Sequence, residues 1–249
     1  MNISMTVWAT ITGALLAQAA VAGEITVLSG GAIEPGLKPA AAAFQKESGD
    51  TVNITFDTAP QILKRVAGGE TWDVVIAPTS VIEQLAKTQK VGAERAGVGR
   101  VGMGVAVRPG AAVPDISNAE ALKRSVLEAD SLVFNRASTG LYFEGVLRKM
   151  GVYEQVEGKT TRYADGASVM EHVLNGKGKE VGFGPITEIL LQRDKGLRLV
   201  GPLPTEVQNY TAYTATVMTA RPNAALARTF VNYLGSPGTK AIFVAAGVE

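Results

Sequence analysis

The chain has no cysteine and a single histidine, His172, in 249 residues. Thiolate nucleophiles, disulfides and cysteine metal ligands are therefore excluded, and the usual zinc sites lack their ligands. A Ser-His-Asp triad would have to use His172, and no Gly-x-Ser-x-Gly elbow is present to present a serine. Excess charge of either sign is also missing: 24 basic side chains stand against 23 acidic ones. That balance argues against a nucleic-acid footprint or a membrane-surface binder. No metal and no cofactor is expected.

The first 22 residues are the segment without charge. Met1 to Ala22 contains no Lys, Arg, Asp or Glu, is apolar from Ala14 to Ala20, and closes on the small-x-small triplet Ala20-Val21-Ala22. This reads as a secretory signal cleaved after Ala22. It is too short to span a bilayer and is ended by Glu24. The expected location is the periplasm, with no cysteine after the signal to carry a lipid anchor. The apolar stretch Val98 to Val107 is shorter still, contains Arg100, and reads as a buried strand.

What remains is an alternation of short β-rich runs and helical patterns. Glu24 to Ser29, Thr51 to Phe56 and Asp73 to Ala77 read as strands, and the helices between and after them cover Ile33 to Ser48, Ala59 to Ala67 and Ser80 to Thr88. A second series follows Arg108-Pro109-Gly110, with strands at Ser131 to Phe134 and Glu180 to Gly184. Its helices lie at Asn118 to Ala129, Leu141 to Met150, Ala167 to Asn175 and Thr187 to Arg193. Tyr210 to Met218 is a long alternating strand, and two amphipathic helices, Asn223 to Leu234 and Ser236 to Ala246, close the chain. Alternation of this kind implies α/β architecture with largely parallel sheets flanked by helices. The expected division is a first lobe of residues 23–104 plus 215–249 and a second of 105–214. Val101 to Val107 would leave the first lobe and Ala212 to Met218 would return to it. Ligands in such sheets sit beyond the carboxyl ends of the strands, so two facing lobes define a cleft.

Five strand-to-helix turns share a small, hydroxylated, nearly uncharged composition: Ser29-Gly30-Gly31-Ala32, Asp57-Thr58-Ala59-Pro60, Ala137-Ser138-Thr139-Gly140, Asp165-Gly166-Ala167-Ser168 and Gly184-Pro185-Ile186-Thr187. Helix starts offer unpaired N–H groups and about half a positive charge. Any one such turn is ordinary N-cap chemistry; five around one cleft make an anion site without a metal. The expected ligand-binding residues are Ser29, Gly30, Gly31, Thr58, Ala59, Arg136, Ser138, Thr139, Gly140, Ala167 and Ile186, with Pro185 contributing no N–H.

Val27-Leu-Ser-Gly-Gly-Ala, Phe56-Asp-Thr-Ala-Pro-Gln-Ile and the stretch from Ile62 to Ile76 resemble the periplasmic molybdate-binding-type substrate-binding proteins of ABC transporters. So do Gly182-Phe-Gly-Pro-Ile-Thr-Glu-Ile and Gly201 to Tyr213, the latter leading into the returning strand. The resemblance covers nearly all of the expected mature chain. It implies the two-lobe type II periplasmic binding protein fold, each lobe a mixed, mostly parallel sheet, with the ligand held between lobes. It further implies a small anionic ligand, delivery to a transporter permease, and a monomer. The turns depart from those of molybdate binders, since Ser29-Gly30-Gly31-Ala32 keeps one hydroxyl and Gly184-Pro185 stands where a Tyr is often near. A molybdate-like oxyanion and a small carboxylate both remain open. The same broad family includes an aconitate isomerase, so a cofactor-free isomerase of an unsaturated tricarboxylate is the alternative to pure binding.

Among charged residues, Arg136 either clamps a ligand carboxylate bidentately or is a surface cation at a strand end. Arg65 is expected to pair with Asp73 or Glu70, and Lys64 to be solvated. Glu34 suits a helix start as a dipole partner, with general base in the cleft as its other reading. His172 is expected to pack rather than react. Tyr210 and Tyr213 lie near the returning strand and pack there or line the cleft.

Overall fold

Buried strands followed by glycine- and hydroxyl-rich turns set the framework. The structure is a computed structural model and describes residues 22–219 and 223–249; the expected signal therefore lies outside the described residues except for Ala22. In chain order the elements are β1 (Glu24–Gly30), α1 (Glu34–Ser48), β2 (Thr51–Asp57), α2 (Ala59–Ala67), β3 (Val74–Pro78), α3 (Thr79–Lys87) and β4 (Val91–Val107). There follow α4 (Ala119–Glu128), β5 (Ser131–Asn135), α5 (Ser138–Lys149), α6 (Tyr153–Val156), β6 (Thr160–Tyr163), α7 (Gly166–Asn175), β7 (Glu180–Pro185) and α8 (Ile186–Leu191). The chain ends with β8 (Arg198–Pro202), β9 (Tyr210–Met218), α9 (Ala224–Leu234) and α10 (Pro237–Ala245).

The strands run in the order β2-β1-β3-β9-β4-β7-β5-β6, with β8 also on β4. The outer strands are parallel: β1 with β2 and β3, and β5 with β6 and β7. The strands joining them are antiparallel, β9 with β3 and β4, and β4 with β7 and β8. Each βα unit therefore keeps its carboxyl end at one edge, while β4 and β9 stitch the halves together. This is the two-lobed α/β architecture, built from βαβ units that bury both faces of the sheet. Each half carries apolar side chains on both of its faces. Ile25, Val27, Phe44 and Phe230 fill one face of the first half, and Leu28, Ile62, Val75 and Ile82 the other. In the second half Phe134, Phe143 and Phe183 pack on one side, with the last two stacked at 3.9 Å, and Val133, Met170 and Val173 on the other. Burying each such side chain contributes about 1.5–3 kcal/mol.

The crossing between halves is sharply placed. On β4, Gly102 is opposite Tyr210 in the first half, while the next residue, Met103, is opposite Pro185 in the second. Gln208 braces this point: its side-chain oxygen accepts from Met103 N (3.0 Å) and its amide nitrogen donates to Met103 O (2.9 Å). Tyr210 to Thr214 pair with β4 between Gly97 and Gly102 as the first part of β9. Three strands lacked a sequence signal: β6, β8 and the amino-terminal part of β4.

Candidate functional site

Six strand ends converge on one cleft of about 660 Å³. From the first half come the residues at and after the ends of β1, β2 and β3: Gly30 and Gly31, Asp57 to Ala59, and Pro78. The parallel register aligns two of these ends, Gly30 opposite Asp57. From the second half come those of β5, β6 and β7: Asn135 to Thr139, Ala164 to Ala167, and Pro185. There Asn135 stands opposite Tyr163. The cleft thus lies at the carboxyl edge of both halves, as the fold requires.

The helix starts on the wall differ in how they are capped. The turn at Gly31 leading to α1, and the starts of α2 and α5, have no side-chain cap. By contrast α4, away from the cleft, is capped by Asn118 and α10 by Ser236. First-turn N–H groups have no partner within their own helix. Of four helix starts here, those of α1 and α2 receive no side-chain acceptor among the described residues, so their donors are available to an anion; at the third, α5, Asn135 Oδ1 accepts from Gly140 N and leaves the amides of Ser138 and Thr139 ahead of it. At the fourth, α7, Asp165 accepts from Ser168 N at 2.8 Å, which leaves the amides of Gly166 and Ala167 ahead of the capped position.

Of the residues expected to bind, Gly30, Gly31, Thr58, Ala59, Arg136, Ser138, Thr139 and Ala167 line the cleft. Three do not. Ser29 is fully buried in β1, where its hydroxyl reaches only Gly30 O at 3.3 Å. Gly140 is buried and its N–H donates to Asn135 Oδ1 at 2.9 Å. Ile186 packs over β4, filling the space where Gly102 and Gly104 lack a Cβ. Thr139 lines the cleft with its hydroxyl engaged by the Asn135 side chain (3.0 Å). Thr58 donates its N–H to Asp57 Oδ1 at 2.8 Å.

Asn135 was not singled out in the sequence, yet it shapes the second-half turn. Its Oδ1 accepts from Ala137 N (3.0 Å) as well as from Gly140 N, and its carbonyl receives two bonds from Arg162. Arg162 in turn pairs with Glu144. A buried Asn after a strand looks like any strand-end residue in sequence, which is why it was missed.

The charged groups are mostly self-compensated. Arg65 pairs with Asp57 (3.1 Å) and Glu70 (2.9 Å), not Asp73, which instead accepts from Thr26. Glu34 lines the cleft and pairs with Lys38. Lys64 and Arg136 are exposed cations on the wall. His172 sits off the cleft, its Nδ1 within 2.8 Å of the Tyr163 hydroxyl. Tyr210 carries Arg100 on its ring and is also off the wall. Tyr213 is on it, buried, with its ring against Gly30.

One acid stands apart. Glu188, near the start of α8, lines the cleft, and its Oε2 is buried without a hydrogen-bond partner. Burial first, then the neighbouring Asp165 and Glu34 carboxylates, push it up to about 8. Tyr213 is pushed up as well, by burial and then by Glu188. Glu188 stands in the resembling stretch Gly182 to Ile189 but takes no role from sequence, because a Glu in a helix's first turn is ordinary dipole chemistry. Beside it, Thr187 Oγ1 donates to Ala32 O at 2.5 Å, a direct bond between the halves at the floor of the cleft.

A two-half α/β molecule with strand-end turns facing across a cleft and continuous strands joining the halves is a ligand-binding protein of the bilobal kind. The chain belongs to the bacterial extracellular solute-binding protein family, whose model matches residues 25–249. It therefore acts outside the cytoplasm as a solute-binding protein. It is 28% identical over 218 residues to an aconitate isomerase from a Pseudomonas species, covering 85% of this chain and 82% of that one. Its fold is shared with the periplasmic molybdate-binding protein of Azotobacter vinelandii, at a TM-score of 0.77 and 16% identity over 90% of this chain and 98% of that one. The sulfate-binding protein of Mycobacterium tuberculosis matches with a TM-score of 0.73 and 16% identity over 91% of this chain and 86% of that one.

Proposed function

We propose that the protein is exported by its N-terminal signal and captures a small anion between its lobes for delivery to an ABC-type importer. The observation that carries this reading is the meeting of helix starts from both halves at one cleft, those of α1 and α2 without a side-chain acceptor and those of α5 and α7 with their first amides left ahead of the capped position. Backbone N–H groups at Gly31, Ala59, Ser138 and Ala167 hold the anion, the Ser138 hydroxyl adds a donor, and Arg136 supplies a formal positive charge at the rim. Closure is a bend at the crossing of β4 and at the segment entering β9. The relatives named for molybdate and sulfate support an anionic ligand. The cleft, at about 660 Å³, has room for a small organic carboxylate as well as for a tetrahedral oxyanion.

Thermal unfolding of the protein against molybdate, tungstate, sulfate, phosphate, citrate and cis- and trans-aconitate tests the reading. A ligand that binds only the folded state raises the melting temperature by mass action, by about 2.7 kcal/mol of stabilisation at a hundredfold excess over Kd. A rise with the carboxylates is expected; no rise with any of these anions overturns anion capture.

A second reading is favoured by Glu188, an acid in the cleft poised near neutrality. Proton-transfer catalysts tune carboxylates in this way. In the same cleft, an isomerase would take a proton from one end of the allylic system of trans-aconitate and return it to the other, giving cis-aconitate with no net change in atoms. Proton NMR of trans-aconitate incubated with the protein separates the two readings: a moving double bond supports the isomerase, and an unchanged spectrum with ligand bound supports capture alone.

A further inference from the structure

Two buried side-chain atoms lack a hydrogen-bond partner among the described residues, Trp72 Nε1 and Glu188 Oε2. Trp72 lies off the cleft, with Arg65 over its ring at 5.1 Å. Glu188 lies in the cleft and between the halves. Its carboxylate fills the space against Gly166 at the start of α7, where any Cβ would overlap Oε2. Its Oε1 lies 3.7 Å from the Cβ position of Gly31, on the opposite half. The acid is thus wedged between two helix starts that belong to the proposed anion site.

The groups facing it explain which acid carries a proton. Asp165, ahead of α7, already accepts the Ser168 N–H. Glu34, on α1, already holds Lys38. Tyr213, on β9, is a buried phenol. Asp57 across the cleft is held by Arg65, and the wall cations Lys64 and Arg136 are exposed. Among the described residues Glu188 is the cleft acid with no donor, and enclosure of an unpartnered carboxylate oxygen favours the neutral form, which has an O–H and needs an acceptor.

We propose that Glu188 is a specificity-determining residue of the cleft: as a neutral acid it donates its proton in a hydrogen bond to an oxygen of the bound anion, so that the anion and a proton bind together. This rests on the anion-capture reading. A ligand carboxylate is the natural acceptor, because its other oxygens can take the N–H groups at Gly31 and at Gly166 or Ala167. When the halves open, Glu188 regains water and ionises more readily, and closure over the ligand takes the proton back. A negative charge placed beside Glu188 raises its proton affinity further. Binding and proton uptake are therefore linked, and the affinity falls as pH rises past the acid's range near 8, toward a limit of about tenfold per pH unit.

The test is calorimetric titration of the whole protein with trans-aconitate, citrate and molybdate in turn. Each is run from mildly acid to alkaline pH, in two buffers of different ionisation enthalpy, for the wild type and for Glu188→Gln. The expected result is net proton uptake on carboxylate binding by the wild type, and an affinity that weakens with pH. Glu188→Gln keeps a donor and cannot ionise, so it binds the same anion with that part of the pH dependence gone. The difference between the two proteins removes the ligand's own ionisation. Proton release, no proton change, or an unaltered pH slope in Glu188→Gln overturns the proposal. Proton release would instead mark a Glu188 that gives up its proton when the anion binds. Should the variant fail to fold, the wild-type proton count at alkaline pH, where the ligand carboxyls are already fully ionised, decides. Absence of binding by the wild type at every pH overturns the anion reading, and this proposal falls with it.

Discussion

Ser29 and Ser138 look alike in sequence, each a small hydroxylated residue at a strand-to-helix turn, but the structure gives them different tasks. Ser29 is enclosed in β1 and its hydroxyl is spent locally, whereas Ser138 is exposed on the cleft wall at the first position of α5. Replacing Ser29 with Ala is expected to leave anion affinity within about twofold. Ser138→Leu is expected to lower it by tenfold or more, corresponding to at least about 1.4 kcal/mol. Isothermal titration of both variants checks the contrast, and equal losses would show that the wall is misassigned. Glu188 carries a second consequence, for stability in the absence of ligand. Its folded-state value of about 8 lies above the ordinary 4.5. Between those values the folded protein holds a proton that the unfolded chain has lost, so stability must fall as pH rises through this window. The slope approaches about 1.4 kcal/mol per pH unit. Denaturant unfolding across that range should show the decline in the wild type and a flatter profile in Glu188→Gln; parallel profiles would mean that the carboxylate is solvated.

At the scale of elements, β4 does the joining. Its pairing with β9 slips between Gly97 and Gly99. Gly99 has φ +156°, and a Cβ there would come within 2.6 Å of Val248 Cγ1 and 2.9 Å of Glu249 O. The chain end is docked at this slip, Arg100 N to Glu249 O (2.6 Å) and Glu249 N to Arg100 O (2.9 Å). Gly99→Ala is expected to expel the C-terminal residues and cost about 1–3 kcal/mol, the usual range for overpacking. A lowered melting temperature with faster hydrogen exchange at Arg100 would bear this out; unchanged protection would not. Most helices and the buried strands were legible in the sequence because apolar period and turn residues agreed. Val74 to Ile76 reads as a buried strand, and α2 starts and stops where Ala59 and Ala67 stand. Strand β6 was not legible: Thr-Thr-Arg-Tyr has no apolar run, and its pairing with β5 comes from the sheet it joins. The same holds for the first part of β4, where Glu94, Arg95 and Ala96 carry little β signal and β9 supplies the partner. At the site, the turns were legible as turns. Which of their hydroxyls face the cleft was not, because that depends on the half-turn at which each helix begins. The roles of Asn135 and Glu188 were not legible: Asn135 looks like any strand-end residue, and the neighbours of Glu188, Gly31 and Gly166, are distant in sequence.

For the whole molecule, the cleft joins residues from both halves, while β4 and the segment entering β9 connect them. A near-zero net charge suits this design, since the local field at the helix starts, not a global one, attracts the ligand. On the proposed capture reading, the bend that closes the cleft falls at Met103, where Gln208 braces the crossing. The central claim is that one small anion is held at once by backbone donors of both halves. Amide nitrogen-15 NMR during titration with a binding carboxylate tests it most directly. The amides of Gly31 and Ala59 on one side, and Ser138 and Ala167 on the other, should shift together with a single dissociation constant. Shifts confined to one half, or absent from these four residues while the ligand binds, would contradict it.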